Sequence, residues 1–103
     1  MVYTTTDDAE EAARLARGLL DGRLAACVQI GRVASHYVWN GTPTQVEEYV
    51  LAIKTSSARY EEVAAFIAAE HHYELPEVIE VPITRASSGY LDWIDSATGL
   101  PGQ

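Results

Sequence analysis

Ser35-His36-Tyr37-Val38-Trp39-Asn40-Gly41-Thr42-Pro43-Thr44-Gln45-Val46-Glu47-Glu48-Tyr49-Val50-Leu51-Ala52-Ile53-Lys54-Thr55 is the stretch that decides the fold. Asn40-Gly41-Thr42-Pro43 has turn chemistry, because Asn and Gly accept the positive φ that a tight reversal needs. Before it, Ser35 to Gly41 puts Tyr37 and Trp39 on one face. After it, Val46 to Thr55 alternates Tyr49, Leu51 and Ile53 against Glu48, Val50 and Ala52, the two-residue period of a strand. A long β-hairpin is expected.

Upstream, Leu24 to Ile30 is apolar apart from Gln29, as a strand covered on both faces would be, and Gly31 is expected to break it. Val2 to Thr5 reads as a short first strand leading to Asp7, a helix cap with Glu10 closing a capping box. Ala9, Ala12, Ala13, Ala16, Leu19 and Leu20 then form the apolar stripe of a helix ending near Gly22, with Glu10, Glu11, Arg14 and Arg17 on its other side. Downstream, Ser56 or Ser57 caps a helix carrying Tyr60, Val63, Ala64, Ile67 and His71 on one face, and Pro76 forbids its continuation. Glu77 to Thr84 alternates as a strand with Ile79, Val81 and Ile83 on one face, and Pro82 assigns it to a sheet edge. Ser87 or Ser88 caps a last helix with Tyr90, Leu91 and Ile94.

The order βαββαβ plus a C-terminal helix predicts an α+β, ferredoxin-like sandwich, a single domain over residues 1–103. Helices cover one sheet face. Leu24, Ala26, Val28, Val50 and Ala52 are expected to leave the other face apolar, and oligomerisation would cover it.

Composition narrows the partners. Seven Lys and Arg against fifteen Asp and Glu give a net charge of −8, the wrong sign for nucleic acid. Lys54 is the only lysine and the arginines are scattered, so no basic stripe suits a membrane surface, and no apolar run approaches the ~20 residues of a membrane span. With Cys27 as the only cysteine and no secretory pattern after Met1, a cytoplasmic protein is expected. No Gly-x-Ser-x-Gly elbow, phosphate-cradling glycine loop or His-Glu-x-x-His occurs, so no enzymatic activity is expected.

Leu24-Ala25-Ala26-Cys27-Val28, Tyr37-Val38-Trp39-Asn40-Gly41, Glu47-Glu48-Tyr49, Lys54-Thr55, His71-His72-Tyr73-Glu74-Leu75-Pro76-Glu77 and Tyr90-Leu91-Asp92-Trp93 together resemble the CutA divalent-cation-tolerance family. The resemblance covers nearly the whole chain in order. It implies a homotrimer of ferredoxin-like subunits, shaped like the PII signalling proteins, with a role in divalent-cation binding or tolerance and no required cofactor. Copper is the cation most associated with the family, so Cu(II) or another divalent cation is the expected partner.

Copper sites in the family draw on a cysteine in the first strand and histidines before a Tyr-x-x-Pro-Glu segment. Thr4 stands at the cysteine position, His71 at the histidine, Glu70 just before it, and His72 where proline is usual. His71, His72 and Glu70 are therefore the candidate metal residues. On a helix, adjacent histidines project ~100° apart, which argues against His71 and His72 sharing one ion. Cys27, among Ala25, Ala26 and Val28, reads as core. Tyr37, Trp39, Glu47, Lys54 and Trp93 are candidates for a ligand pocket or subunit interface. Glu47 and Glu48 point to opposite faces, so they form no acid–base pair. Lys54 is expected to pair with a glutamate at its strand end. A second reading from the same residues is a PII-like trimer binding a small anionic metabolite between subunits.

Overall fold

Asn40 and Gly41 take φ of 51° and 75° and close a two-residue turn between Trp39 and Thr42. Positive φ at both positions is what a type I′ turn demands, and it matches the twist of the strands it joins. From this tip β2 (Cys27–Trp39) and β3 (Thr42–Lys54) pair without interruption to Cys27 and Lys54. Gly31 does not break β2: it sits opposite Val50, where a side chain would meet only ordinary contact. The structure, a computed structural model, describes residues 1–99, so positions 100–103 of the expected domain lie outside the described residues.

β1 (Val2–Thr6) pairs antiparallel with β3 at Tyr49 to Ile53 and with the short β4 (Ile79–Glu80), giving the sheet order β2-β3-β1-β4. With α1 (Ala9–Asp21), α2 (Tyr60–Glu70) and the terminal α3 (Ser88–Ala97), this is the expected ferredoxin-like topology. β4 is far shorter than Glu77 to Thr84. Val81 exchanges backbone hydrogen bonds with Met1 (2.7 and 2.9 Å), and Pro82 then supplies no N–H to continue the ladder. Its edge position is as Pro82 predicts.

The core joins Val2, Leu51 and Ile53 of the sheet to Ala12, Leu15 and Leu19 of α1 and Val63 and Ile67 of α2. Leu20 lies outside it, 43% exposed, so the buried stripe of α1 runs one position from the alanine-based expectation. Val28 pairs with Ile53, and both it and Leu24 pack on this core rather than on the open face. Val50 and Ala52 do lie on the open face, opposite Gly31 or Thr5 and opposite Gln29 or Tyr3. β1 flanks β3 only from Tyr49 onward, so the hairpin beyond it projects with one β3 edge unpaired, and Val38 is 67% exposed.

Thr4, between Val2 and Thr6 on the core face, is fully buried, and its hydroxyl has no hydrogen-bond partner. A buried unsatisfied hydroxyl costs ~1–3 kcal/mol, and valine keeps its shape without that penalty. Thr4→Val should therefore raise Tm by several degrees in a thermal melt; an unchanged or lower Tm would mean the hydroxyl is satisfied.

Two helix starts differ from expectation. The cap of α1 is Asp8, whose Oδ1 accepts from the N–H groups of Glu10 (2.8 Å) and Glu11 (3.3 Å), which leaves Asp7 free. Ser56 precedes a 3-10 turn at Ser57–Arg59, and its hydroxyl bonds Asp95 (2.9 Å) rather than capping α2. α3 starts after Ser87, at the expected position, but the Ser87 hydroxyl makes no capping hydrogen bond.

Candidate functional site

α2 stops at Glu70, and His71 leaves it with an extended ψ of 140°. The two histidines are therefore not helical neighbours. Their rings stack with centroids 5.5 Å apart, and both reach the buried carboxylate of Glu11. One ligand atom from each of Glu11, His71 and His72 lies within 4.8 Å of the others. The helical separation expected of the pair is absent, and the two rings come together beside one carboxylate.

Glu11 is 5% exposed and anchors the cluster. Its Oε2 accepts from the Thr6 hydroxyl (2.6 Å) and from His72 Nδ1 (2.6 Å), while Oε1 accepts from the His72 backbone N–H (3.0 Å) and Arg14 (3.3 Å). Burial alone would raise its pKa, but the hydrogen bonds from Thr6 and His72, with the nearby His71, together hold it below the ordinary value. His72 bridges two carboxylates, with Nε2 3.0 Å from Asp7 Oδ1. The Glu11 hydrogen bond raises its pKa, and the ring when protonated donates to both carboxylates.

His71 is fully committed elsewhere. Its Nδ1 accepts from the Tyr73 N–H (3.0 Å), which fixes the proton on Nε2, and Nε2 donates to the Thr5 carbonyl (2.7 Å). With a side chain of 0% exposure it holds the loop to β1 and stands behind the cluster. Glu70 stays outside and receives Arg14 at 3.0 Å. The sequence reading missed Glu11 and Asp7. The available signal was spacing: Glu11 lies four and eight residues before Leu15 and Leu19, a carboxylate within the apolar stripe of α1.

Of the pocket candidates, Tyr37 and Trp39 line an open-face cleft of about 600 Å³ together with Glu48, Tyr73, Leu75 and Glu77. Glu47 does not line it: on the opposite face of β3, it pairs with Arg32 (3.4 Å). Lys54 and Trp93 are also elsewhere. Lys54 Nζ lies 3.4 Å from the Tyr90 hydroxyl and 5.7 Å from its ring centre, Tyr90 packs on Trp93, and no glutamate takes the expected pairing with Lys54 among the described residues. The Tyr73 hydroxyl donates to Glu48 (2.7 Å), and burial together with that bond pushes its pKa well above the usual phenol range.

The molecule is thus a ferredoxin-like α+β protein with a carboxylate–imidazole cluster where the loop after α2 meets the N-terminus of α1. A family model described as CutA1 divalent ion tolerance protein matches residues 1–97, and the chain belongs to that family. It is 38% identical over 94 residues to the divalent-cation tolerance protein CutA of Archaeoglobus fulgidus, covering 91% of this chain and 92% of the relative. The corresponding protein of Thermus thermophilus is 34% identical over 100 residues, with 96% and 97% covered. The solved structure of the periplasmic divalent cation tolerance protein CutA from A. fulgidus superimposes with a TM-score of 0.92 at 37% identity, over 94% of this chain and 95% of the other. That of CutA1 from the psychrotrophic bacterium Shewanella sp. SIB1 gives a TM-score of 0.91 at 37% identity, over 96% and 94%. Among the described residues no helix is long and apolar enough to cross a membrane.

Proposed function

We propose that this chain binds a divalent cation, Cu(II) by donor chemistry, between Glu11 and His72, and acts by binding rather than by catalysis. The supporting observation is the 2.6 Å approach of His72 Nδ1 to Glu11 Oε2 within a cluster whose ligand atoms lie inside 4.8 Å. A cation there takes the place of the proton between them. Imidazole and carboxylate suit Cu(II), and the absence of sulfur from the cluster disfavours Cu(I). Asp7, accepting from His72 Nε2, supplies the outer carboxylate that fixes the tautomer and raises the basicity of a ligating imidazole. His71, the first choice from sequence, then acts behind the ligands.

Because the cation replaces a proton, affinity should weaken as pH falls from 7 to 5. Calorimetric titration with Cu(II) should show proton release, and His72→Ala should weaken binding about 10–100-fold, with Asp7→Asn losing less. Uptake unchanged by His72→Ala and by Glu11→Gln would overturn the assignment.

The assembled form we read as a homotrimer. Supporting this are the open-face Val50 and Ala52 and the projecting hairpin, where Tyr37 and Trp39 are 40% and 46% exposed. A neighbouring subunit would remove such surface from water.

A further inference from the structure

We propose that the cation at Glu11 and His72 is received together with a small amino carboxylate, whose outer carboxylate oxygen is held by Arg17 in the groove beside the site. This co-ligand rests on the Glu11–His72 reading and completes it. The starting point is a donor count. His71 Nδ1 accepts from the Tyr73 N–H and Nε2 donates to the Thr5 carbonyl, so the cluster offers the ion one oxygen, from Glu11, and one nitrogen, from His72. Cu(II) favours a tetragonal set of about four nitrogen and oxygen donors, so roughly two positions stay open. Charge points the same way. Asp7 beyond His72 is balanced by Arg14 on Glu11 Oε1, and a dication against the Glu11 carboxylate then leaves one positive charge beside a side chain only 5% exposed. An anion that also carries a donor nitrogen cancels that charge and fills both positions.

The open side of the site is a groove of about 410 Å³, walled by Asp8, Glu10, Ala13, Arg14 and Arg17 together with Glu11 and His72. That volume suits a small molecule rather than a bare ion. Residues 10, 13, 14 and 17 recur at helical spacing and form one stripe of α1, in which the small Ala13 leaves space between longer neighbours. α1 packs its other side on the core, so the groove faces away from the sheet and from the open face assigned to neighbouring copies of the chain. Most of the charges around it are committed. Asp8 caps α1 through the N–H groups of Glu10 and Glu11, and Arg14 is held by both Glu11 and Glu70. Arg17 makes no hydrogen bond or ion pair among the described residues. Helical side chains lean towards the N-terminus, which carries its guanidinium back in the direction of Glu11. A guanidinium fork pairs two N–H groups with one carboxylate, which selects a carboxylate over a neutral carbonyl. Glu10 starts two turns before Arg17, about 10.5 Å along the axis, so its repulsion there is screened. A plain carboxylate lacks the nitrogen, and a diamine cancels no charge. An amino carboxylate meets both demands.

The test uses the assembled protein at one Cu(II) per chain, followed by electron paramagnetic resonance and native mass spectrometry. Uptake of Cu(II) alone, lost in His72→Ala, establishes the cation site first. One equivalent of glycine is then added, with glycinamide as the chelate that has the amine but no carboxylate. Expected are a species carrying copper and glycine together and a nitrogen hyperfine pattern that changes when the glycine nitrogen is replaced by its heavier isotope. Arg17→Gln should take up Cu(II) as the parent does, yet hold glycine at least about threefold more weakly, with glycinamide binding unchanged. Three results overturn the co-ligand while leaving the cation site standing: glycine strips the copper or leaves its spectrum unaltered, Arg17→Gln holds glycine equally well, or Arg17→Gln weakens glycinamide as much as glycine. Absence of Cu(II) uptake, or uptake indifferent to His72→Ala and Glu11→Gln, overturns both readings.

Discussion

Replacing Glu11 by alanine should unfold this protein at a much lower temperature. One side chain with 5% exposure receives Thr6 from β1, the backbone and ring of His72 from the loop after α2, and Arg14 from its own helix. Truncation leaves those donors facing one another without an acceptor. Breaking one member of a buried charged network costs on the order of 3 kcal/mol, or roughly 10–20 °C in Tm for a domain of this size. Glu11→Gln, which keeps the shape and one acceptor, should lose less. A Tm for Glu11→Ala within a few degrees of the parent protein would show that the cluster contributes little.

The same contacts set a pH profile. Glu11 has its pKa lowered from the ordinary 4.5, so its contribution is complete above 4.5 and is lost as pH falls through the lowered value. His72 has its pKa raised from 6.5, so its contribution is complete below 6.5 and is lost as pH rises through the raised value. Both are present between pH 4.5 and 6.5, where chemical denaturation should find this cluster's contribution largest. His72→Gln should remove the alkaline decline. If the parent and His72→Gln lose stability equally above pH 6.5, the imidazolium is not its source.

What could be read from sequence follows from the range over which each feature is determined. The hairpin rests on Asn40-Gly41 and a two-residue alternation, both local, and both survive in the structure. The break expected at Gly31 fails because a single glycine weakens a ladder, while pairing on either side of it carries β2 through. The site was harder. Glu11 and the His72 ring are 61 residues apart in the chain, and nothing local to either announces the other. Moving the helix cap from Asp7 to Asp8 is a small change, yet it releases Asp7 to His72, while Glu11 turns inward to Thr6 and His72. Helical periodicity also misled at His71: extending α2 by one residue separates two rings that in fact stack.

The opposite ends of the β2–β3 hairpin should respond differently to truncation. Leu51 is fully buried at the centre of the sheet, between β1 and β2, in a core cluster to which α1 and α2 both contribute. Leu51→Ala removes apolar contacts and leaves a cavity, at about 3–4 kcal/mol, which makes it the most damaging single core truncation proposed for the chain. Val38, in β2 near the hairpin tip, is 67% exposed and opposite Pro43, so within one chain Val38→Ala should change stability by less than about 0.5 kcal/mol. A sheet this long with a core at only one end needs another reason for its far end to be apolar. If copies of the chain cover that end as a trimer, Trp39→Ala should lower Tm by an amount that grows on dilution, because dissociation then accompanies unfolding. Native mass spectrometry of the parent protein should give three times the 11.3 kDa chain, and Trp39→Ala should populate the single chain. A concentration-independent loss, with the parent running as a single chain, would mean the projecting hairpin is not a subunit contact and would leave its aromatic residues to the cleft alone.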